Sequence, residues 1–210
     1  MVDECKTERR GHGKSSESAQ ERQGNREEPV GGSREYFDLT IQELQSLGKW
    51  AASCAERALS VYEKIEAEDY RPREAINGII EFSNGGKRTN KLRKLALDAY
   101  RASLEAKHEA ASAAAKSASL AAASAYTHPF KDIRQAEHIL GPAAYSALAL
   151  ELNGNGDQEI GKSEIRWAIE NVNSETVKLL AKMPERNSGK RRIEKLLYDL
   201  DHGIREKNTS

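Results

Sequence analysis

Residues 50–57, WAASCAER, place a thiol close to a large aromatic side chain and to two opposite charges. A nucleophilic cysteine needs a lowered pKa, which a helix N-terminus, a cation or a paired histidine can supply. Cys54 instead lies well inside a predicted helix, one turn after Trp50 and on the same apolar face. A buried cysteine behaves as a small hydrophobic side chain. We therefore interpret Cys54 as a packing residue, with reactivity supplied by a distant histidine as the alternative.

The charges of the same segment raise a second question. Glu56 and Arg57 point about 100° apart on a helix, so they cannot pair comfortably with each other. Residues 71–73, RPR, offer two guanidinium groups just beyond this helix. One interpretation is an exposed surface pair that contributes about 0–1 kcal/mol. The other is a clamp in which Glu56 pairs with Arg71 or Arg73 and fixes the first two helices, since arginine favours bidentate partners.

Two segments bring cations to the beginning of a predicted helix: 84–94, NGGKRTNKLRK, and 187–195, NSGKRRIEK. A cation at this position opposes the helix dipole by about 0.3–1 kcal/mol. Glycine followed by free backbone amides would suit an anion, so a phosphate, a nucleic acid or an acidic protein surface is one interpretation. A solvated and screened turn is the other. The candidate binding residues of these two basic loops are Lys87, Arg88, Lys91, Lys190, Arg191 and Arg192.

Metal binding finds little support in the sequence. Residues 153–164, NGNGDQEIGKSE, resemble a calcium loop, but Gln158 stands where the sharp turn requires glycine and Asn153 replaces the first carboxylate. Any Ca²⁺ affinity of this loop would therefore be weak. The histidines are scattered, and no pair at i and i+4 with a nearby carboxylate marks a zinc site. We expect no metal and no cofactor, and His138 is interpreted as a structural histidine.

The composition bounds the class of protein. The chain has 210 residues, with 33 basic and 33 acidic side chains, so no overall charge draws it to nucleic acid or to a membrane. The two cysteines exclude a disulfide framework and suit a reducing compartment. Neither an export signal nor a run of about 18 apolar residues occurs. These features predict a soluble cytoplasmic protein.

The apolar periodicity predicts an all-α protein. Residues 1–35 are rich in both charges and poor in apolar side chains, which predicts a disordered tail before a helical domain over 36–207. Thr40 and Glu43 form a capping-box pattern, and apolar residues then recur every three or four positions. No segment alternates as a strand would. We predict one bundle of six to eight helices, at about 40–67, 72–83, 89–106, 109–125, 131–138, 142–152, 163–183 and 189–202.

Five blocks, in this order, resemble one known family. They are LGKWAASCAERALSVYE (47–63), RPREAI (71–76), SAYTH (124–128), AEHILGPAAYSALAL (136–150) and RRIEKLLYDLDHGIR (191–205). Together they resemble the bacterial putative immunity proteins of the Imm-5-like helical domain, over about residues 39–206. The positions that generic helix patterning does not demand are Trp50, the segment from Cys54 through Glu56 to Arg57, the segment from Arg71 to Arg73, and the span from His138 to Tyr145.

The resemblance implies a stoichiometric inhibitor that binds a toxin and blocks its active site, and therefore not an enzyme. Such an inhibitor needs an exposed, rigid surface with a few arginine or aromatic anchors. The candidates for that surface are Arg71, Arg73 and the two basic loops. A nucleic-acid or phosphate-ligand binder that uses these loops is the alternative, and an enzyme centred on Cys54 and His138 is a third hypothesis.

Overall fold

The computed structural model describes residues 35–209, which form eight α-helices and no β-strand. The helices are α1 (Ile41–Ile65), α2 (Arg71–Ser83), α3 (Asn90–Glu105), α4 (Glu109–Ala123), α5 (Ile133–Asn153), α6 (Gln158–Glu170), α7 (Ser174–Ala181) and α8 (Arg192–Thr209). A short 3₁₀ helix, Ser124–Tyr126, follows α4. The prediction of an all-helical bundle is confirmed. Residues 1–34 of the predicted tail lie outside the described residues.

Local sequence explains where most helices begin. The Thr40 hydroxyl accepts a hydrogen bond from the Glu43 amide, and the Glu43 carboxylate accepts one from the Thr40 amide at 2.7 Å. Thr89 caps α3 in the same way by accepting from the Leu92 amide. Each cap provides an acceptor for a backbone N–H that has no partner inside the helix. These two starts agree with the sequence-based prediction.

Helix α5 is a single helix, although the sequence predicts a break between 138 and 142. Pro142 lies inside α5 and removes one backbone hydrogen bond. Packing against α4 holds the helix at this point: the Ser117 hydroxyl donates to the Pro142 carbonyl at 2.6 Å. Gly141 faces Leu120 so closely that a Cβ atom at this position would lie 2.6 Å from the Leu120 Cδ1 atom. Tertiary contacts therefore keep α5 continuous across the proline.

The sequence predicts one helix over 163–183, and this prediction is wrong, because the structure has two helices there, α6 and α7. Asn173 interrupts the predicted helix: its side-chain oxygen accepts from the Thr176 amide, and its side-chain nitrogen donates to the Ser46 carbonyl at 2.8 Å. The first bond caps α7, and the second ties the break to α1. The last predicted helix runs over 189–202. The observed helix α8 begins three residues later, at Arg192, and continues to Thr209.

The alanine-rich helix α4 packs against α1, α2, α3 and α5. Its buried face consists largely of alanine and serine, and Ala111, Ala115, Ala118 and Ala121 are fully buried. Small side chains let neighbouring helices approach closely, which brings α3 and α5 to the two sides of α4. No helix among residues 35–209 is long and apolar enough to cross a membrane.

Candidate functional site

The Cys54 side chain packs in the core. It is 1 % exposed and belongs to the same buried cluster as Trp50, whose indole N–H donates to the Ala168 carbonyl at 3.1 Å. Burial raises the pKa of the Cys54 thiol, which disfavours the nucleophilic thiolate. Arg57 and Glu164 make the smaller charge contributions to this pKa. The geometry therefore supports the packing role of Cys54.

We expect Cys54 to resist alkylation in the native protein. In a Cys5→Ser variant, which leaves one thiol, iodoacetamide at neutral pH should label less than a tenth of the protein while denatured protein is labelled completely. The reason is that both access and thiolate formation require the core to open. Mass spectrometry of the intact chain measures the labelled fraction, and rapid native labelling would contradict the packing role.

The predicted clamp between Glu56 and Arg71 or Arg73 is wrong. Arg57, not Glu56, makes an inter-helix ion pair: it donates to both carboxylate oxygens of Glu164, with 2.9 Å between Nη2 and Oε1. Its guanidinium carbon lies 4.0 Å from the centre of the Trp167 ring. This contact joins α1 to α6, while Glu56 is exposed.

The two arginines of residues 71–73 pair with acids other than Glu56. Arg71 donates to Asp69 and to Glu105, each at 2.6 Å from Nη2, and Arg73 donates to Glu63 at 2.7 Å. The Arg71 hydrogen bonds are the largest influence that holds the pKa of the Asp69 carboxyl at about 2. These pairs connect α2 to the ends of α1 and α3. Both arginines therefore serve the fold, whatever else they contact.

The candidate cations of the basic loops differ in their partners. Arg191 pairs with Glu194, and Arg192 makes a bidentate pair with the buried Glu151. Lys87, Arg88 and Lys190 are exposed. Arg71 and Arg73 begin α2 whereas the 84–94 loop follows its end, and a helix of 13 residues is about 20 Å long. Arg71 and Arg73 thus lie at the opposite end of α2 from the 84–94 loop.

The calcium interpretation is also not supported by the geometry. Gln158–Glu170 is helical, and Asp157 caps that helix by accepting from the Glu159 amide at 3.0 Å. Glu164, the expected closing ligand, is paired with Arg57. Within residues 35–209, no group of three or more His, Cys, Asp or Glu side chains could hold a metal ion.

The most distinctive surface feature is a groove of about 470 Å³ between α3, α4 and α5, which we call the α3–α5 groove. Its large apolar lining consists of Tyr100, Leu104, Tyr145, Leu148 and Leu152. The residues from α5 lie at i, i+3 and i+7 and therefore share a face. On the α4 side the lining includes Ser112 and Ala113, whose small side chains leave the space between α3 and α5 unfilled.

Two α3 residues bring large, exposed apolar side chains to this groove. The core-facing stripe of α3 is formed by Leu92, Ala96, Ala99 and Ala102. Leu104 lies outside this stripe and is 68 % exposed, and Tyr100 is 38 % exposed. Large exposed apolar side chains beside a concave surface are typical of protein and ligand binding sites.

Two lysines, Lys107 and Lys116, line the groove, and Lys116 contacts its aromatic lining. Lys116, on α4, is half-buried, and its ammonium nitrogen lies 4.0 Å from the centre of the Tyr100 ring. Burial lowers the pKa of Lys116, and the nearby Glu137 carboxylate raises it. Burial likewise raises the pKa of Tyr145. The arrangement resembles a binding surface: an apolar groove with an ammonium group that can orient what binds there.

His138 precedes Tyr145 by two turns on α5 but is not part of the groove lining. Its Nδ1 atom is buried without a hydrogen-bond partner among the described residues. Burial lowers the pKa of its imidazole, which favours the neutral ring. The structure thus places His138 as a packed side chain.

Sequence reasoning named Tyr145 but missed Tyr100, Leu104 and Lys116. Two signals could have found them. Leu97, Tyr100 and Leu104 repeat at i, i+3 and i+7 outside the apolar stripe of α3, and Lys116 is the single cation in the alanine-rich segment 109–125. Neither signal says that the two helices join to form one groove.

Comparison with known proteins gives one match. Residues 38–175 match a family described as Imm-5 like putative immunity protein. This range contains α1 to α6 and the whole α3–α5 groove, whereas the block at 191–205 lies beyond it. No curated protein and no solved structure matched the chain.

Proposed function

Because this chain belongs to the Imm-5 like putative immunity protein family, we propose that it is a non-catalytic protein that binds a toxin-like protein and neutralises it. The observation that carries this proposal is the α3–α5 groove, which lies entirely within the family range. Neutralisation requires a surface that fits the partner and does not require a chemical step. The proposed complex forms in the cytoplasm with one copy of each protein.

The groove has the composition of an interface centre. Interfaces concentrate their binding energy in a few residues, above all tryptophan, tyrosine and arginine, that become fully desolvated. Tyr100 and Tyr145 are such residues, and Leu104 adds exposed apolar surface beside them. The α3 helix has a well-packed core behind it, with Ala99 and Ala102 fully buried. A rigid, preformed groove loses little conformational entropy on binding, which favours affinity.

The cations give less support to the alternative of nucleic-acid binding. Arg191 and Arg192, two of the three cations in the 187–195 loop singled out as candidates, have carboxylate partners within the protein. Phosphate binding would have to replace these ion pairs, and affinity for nucleic acid grows with the number of phosphates that free cations neutralise. None of the six candidate cations of the basic loops lines the groove.

A photo-crosslinking amino acid at Leu104 tests the proposal in the cell from which the chain comes. We expect it to capture one protein in a 1:1 complex, and the same amino acid at the exposed Lys178 of α7 to capture none of it. The captured protein, expressed alone in a laboratory host, should arrest growth, and co-expression of the present chain should restore growth. Arrest and rescue would test neutralisation directly.

Two results would contradict the proposal. One is a captured partner that does not arrest growth when it is expressed alone. The other is growth arrest that the present chain does not relieve although the purified proteins form a complex. Equal crosslinking from Leu104 and Lys178 would remove the groove as the binding surface.

A further inference from the structure

Lys116 is a cation without a complementary anion in contact. Its side chain is half-buried in the α3–α5 groove, and no residue among 35–209 accepts a hydrogen bond from its ammonium group or forms an ion pair with it. Partial burial of an ammonium group is costly unless it is paired, and lysine side chains usually extend to water to avoid this cost. The Tyr100 ring offers partial compensation through a cation–π contact at 4.0 Å.

The acidic residues near Lys116 do not form an ion pair with its ammonium group. Glu137 acts on Lys116 through space but makes no ion pair with it. Glu109 also lines the groove, together with Lys107, and it makes no ion pair with Lys116. The groove therefore retains an ammonium group that can still donate hydrogen bonds, at the edge of an apolar surface formed by Tyr100 and Leu104.

Resting on the proposed function, we propose that the partner protein inserts an acidic side chain into the α3–α5 groove, where its carboxylate pairs with Lys116, and that a neighbouring apolar side chain of the partner packs on Tyr100 and Leu104. Charge complementarity specifies the carboxylate, because its pairing supplies the missing acceptor. The exposed Leu104 specifies the apolar neighbour, since covering it removes apolar surface from water. The partner segment thus carries both an acidic and an apolar side chain. A purely acidic or a purely apolar segment would satisfy only one part of the groove.

Phenylpropionate is a probe with both features, and phenylpropionamide is its neutral counterpart. Titration into the full chain, followed by NMR shifts of the groove residues, should give an affinity about tenfold higher for the carboxylate than for the amide, because a charge-assisted hydrogen bond replaces a neutral one. In Lys116→Met, which keeps an apolar stem, the ratio should fall to about one while the amide affinity is unchanged. Lys178→Met, which removes a lysine outside the groove, should keep the tenfold ratio.

Two further arms examine the local charge and the partner. Glu137→Gln should strengthen phenylpropionate binding by about threefold, because it removes a nearby negative charge. Lys116→Met should weaken the complex with the crosslinked partner by about tenfold, and Lys178→Met should leave it unchanged. Unchanged partner affinity in Lys116→Met would show that the groove takes free carboxylates and that the assignment to the partner is wrong.

Equal affinity for carboxylate and amide in the unmodified chain would overturn the inference, as would a preference that persists in Lys116→Met. These outcomes are separate from the test of neutralisation. If growth rescue succeeds but the ratio of carboxylate affinity to amide affinity is one, the proposed acidic side chain of the partner is wrong and the proposed function stands. If the ratio is ten but no partner arrests growth, the proposed function fails, and the assignment of the carboxylate to a toxin fails with it.

Discussion

Replacing Arg192 with methionine should lower the free energy of unfolding by about 3 kcal/mol. Arg192 donates from Nε and Nη2 to both carboxylate oxygens of Glu151, at 2.7 to 3.0 Å. The Glu151 side chain is only 5 % exposed, so the substitution leaves a buried carboxylate without its partner. Gly161 confines the same carboxylate: a Cβ atom there would lie 2.2 Å from Oε2. The carboxylate therefore packs directly against the Gly161 backbone of α6.

Urea unfolding monitored by circular dichroism measures this loss, and Arg191→Met is the matched control. Arg191 is the preceding residue, but its side chain is 77 % exposed and its partner Glu194 is 30 % exposed. Removing that surface pair should change stability by no more than about 0.5 kcal/mol. The double variant Glu151→Met with Arg192→Met should be more stable than Arg192→Met alone, because it leaves no unpaired buried charge. Equal losses for Arg191→Met and Arg192→Met would contradict the prediction.

The ion pair also explains how α8 is attached. Residues 192–209 lie beyond the range that matches the family, and Arg192 is the first residue of α8. The Glu151 contact joins this helix to the end of α5. Loss of the pair should therefore free the beginning of α8 before it affects the α3–α5 groove, and hydrogen exchange can follow the two regions separately.

Replacing Leu104 with aspartate should weaken the complex with the proposed partner about hundredfold, which corresponds to about 2.7 kcal/mol. The substitution removes the most exposed apolar side chain of the groove and introduces a carboxylate beside Lys116. A carboxylate of the chain itself would compete for the ammonium group and repel the acidic side chain of the partner. Calorimetry with the purified partner measures the change in Kd.

Leu97→Asp is the matched control for this effect. Leu97 is on the same helix, two turns before Leu104, and is 50 % exposed, but it does not line the groove. We expect it to weaken the complex less than threefold.

Aspartate at 104 lies in the last turn of α3, where the helix dipole makes a negative charge unfavourable by about 0.3–1 kcal/mol. Urea unfolding of both variants checks that the binding loss is not a loss of folding, and equal weakening by the two variants would remove the groove from the interface.

Much of the fold could be predicted from the sequence because helix formation depends on residues three or four positions apart. The caps at Thr40 and Thr89 and the apolar stripes of α1 and α3 are local patterns of this kind. The burial of Cys54 followed from its place on such a stripe. The continuity of α5 across Pro142 and the break before Ser174 did not follow, because packing against α4 and α1 overrides the local preference in each case.

The sequence by itself determined the all-helical class, most of the helix starts and the family. The tertiary structure decided which charges pair and where a partner can bind. Arg57 meets Glu164 across 107 residues, and Arg192 meets Glu151 across 41, so no local rule relates them. The α3–α5 groove likewise exists only because α3 and α5 pack on either side of an α4 whose small side chains leave the space between them open. Local hydrogen bonding shapes a helix, but only the packing of one helix on another creates an ion pair or a groove between them.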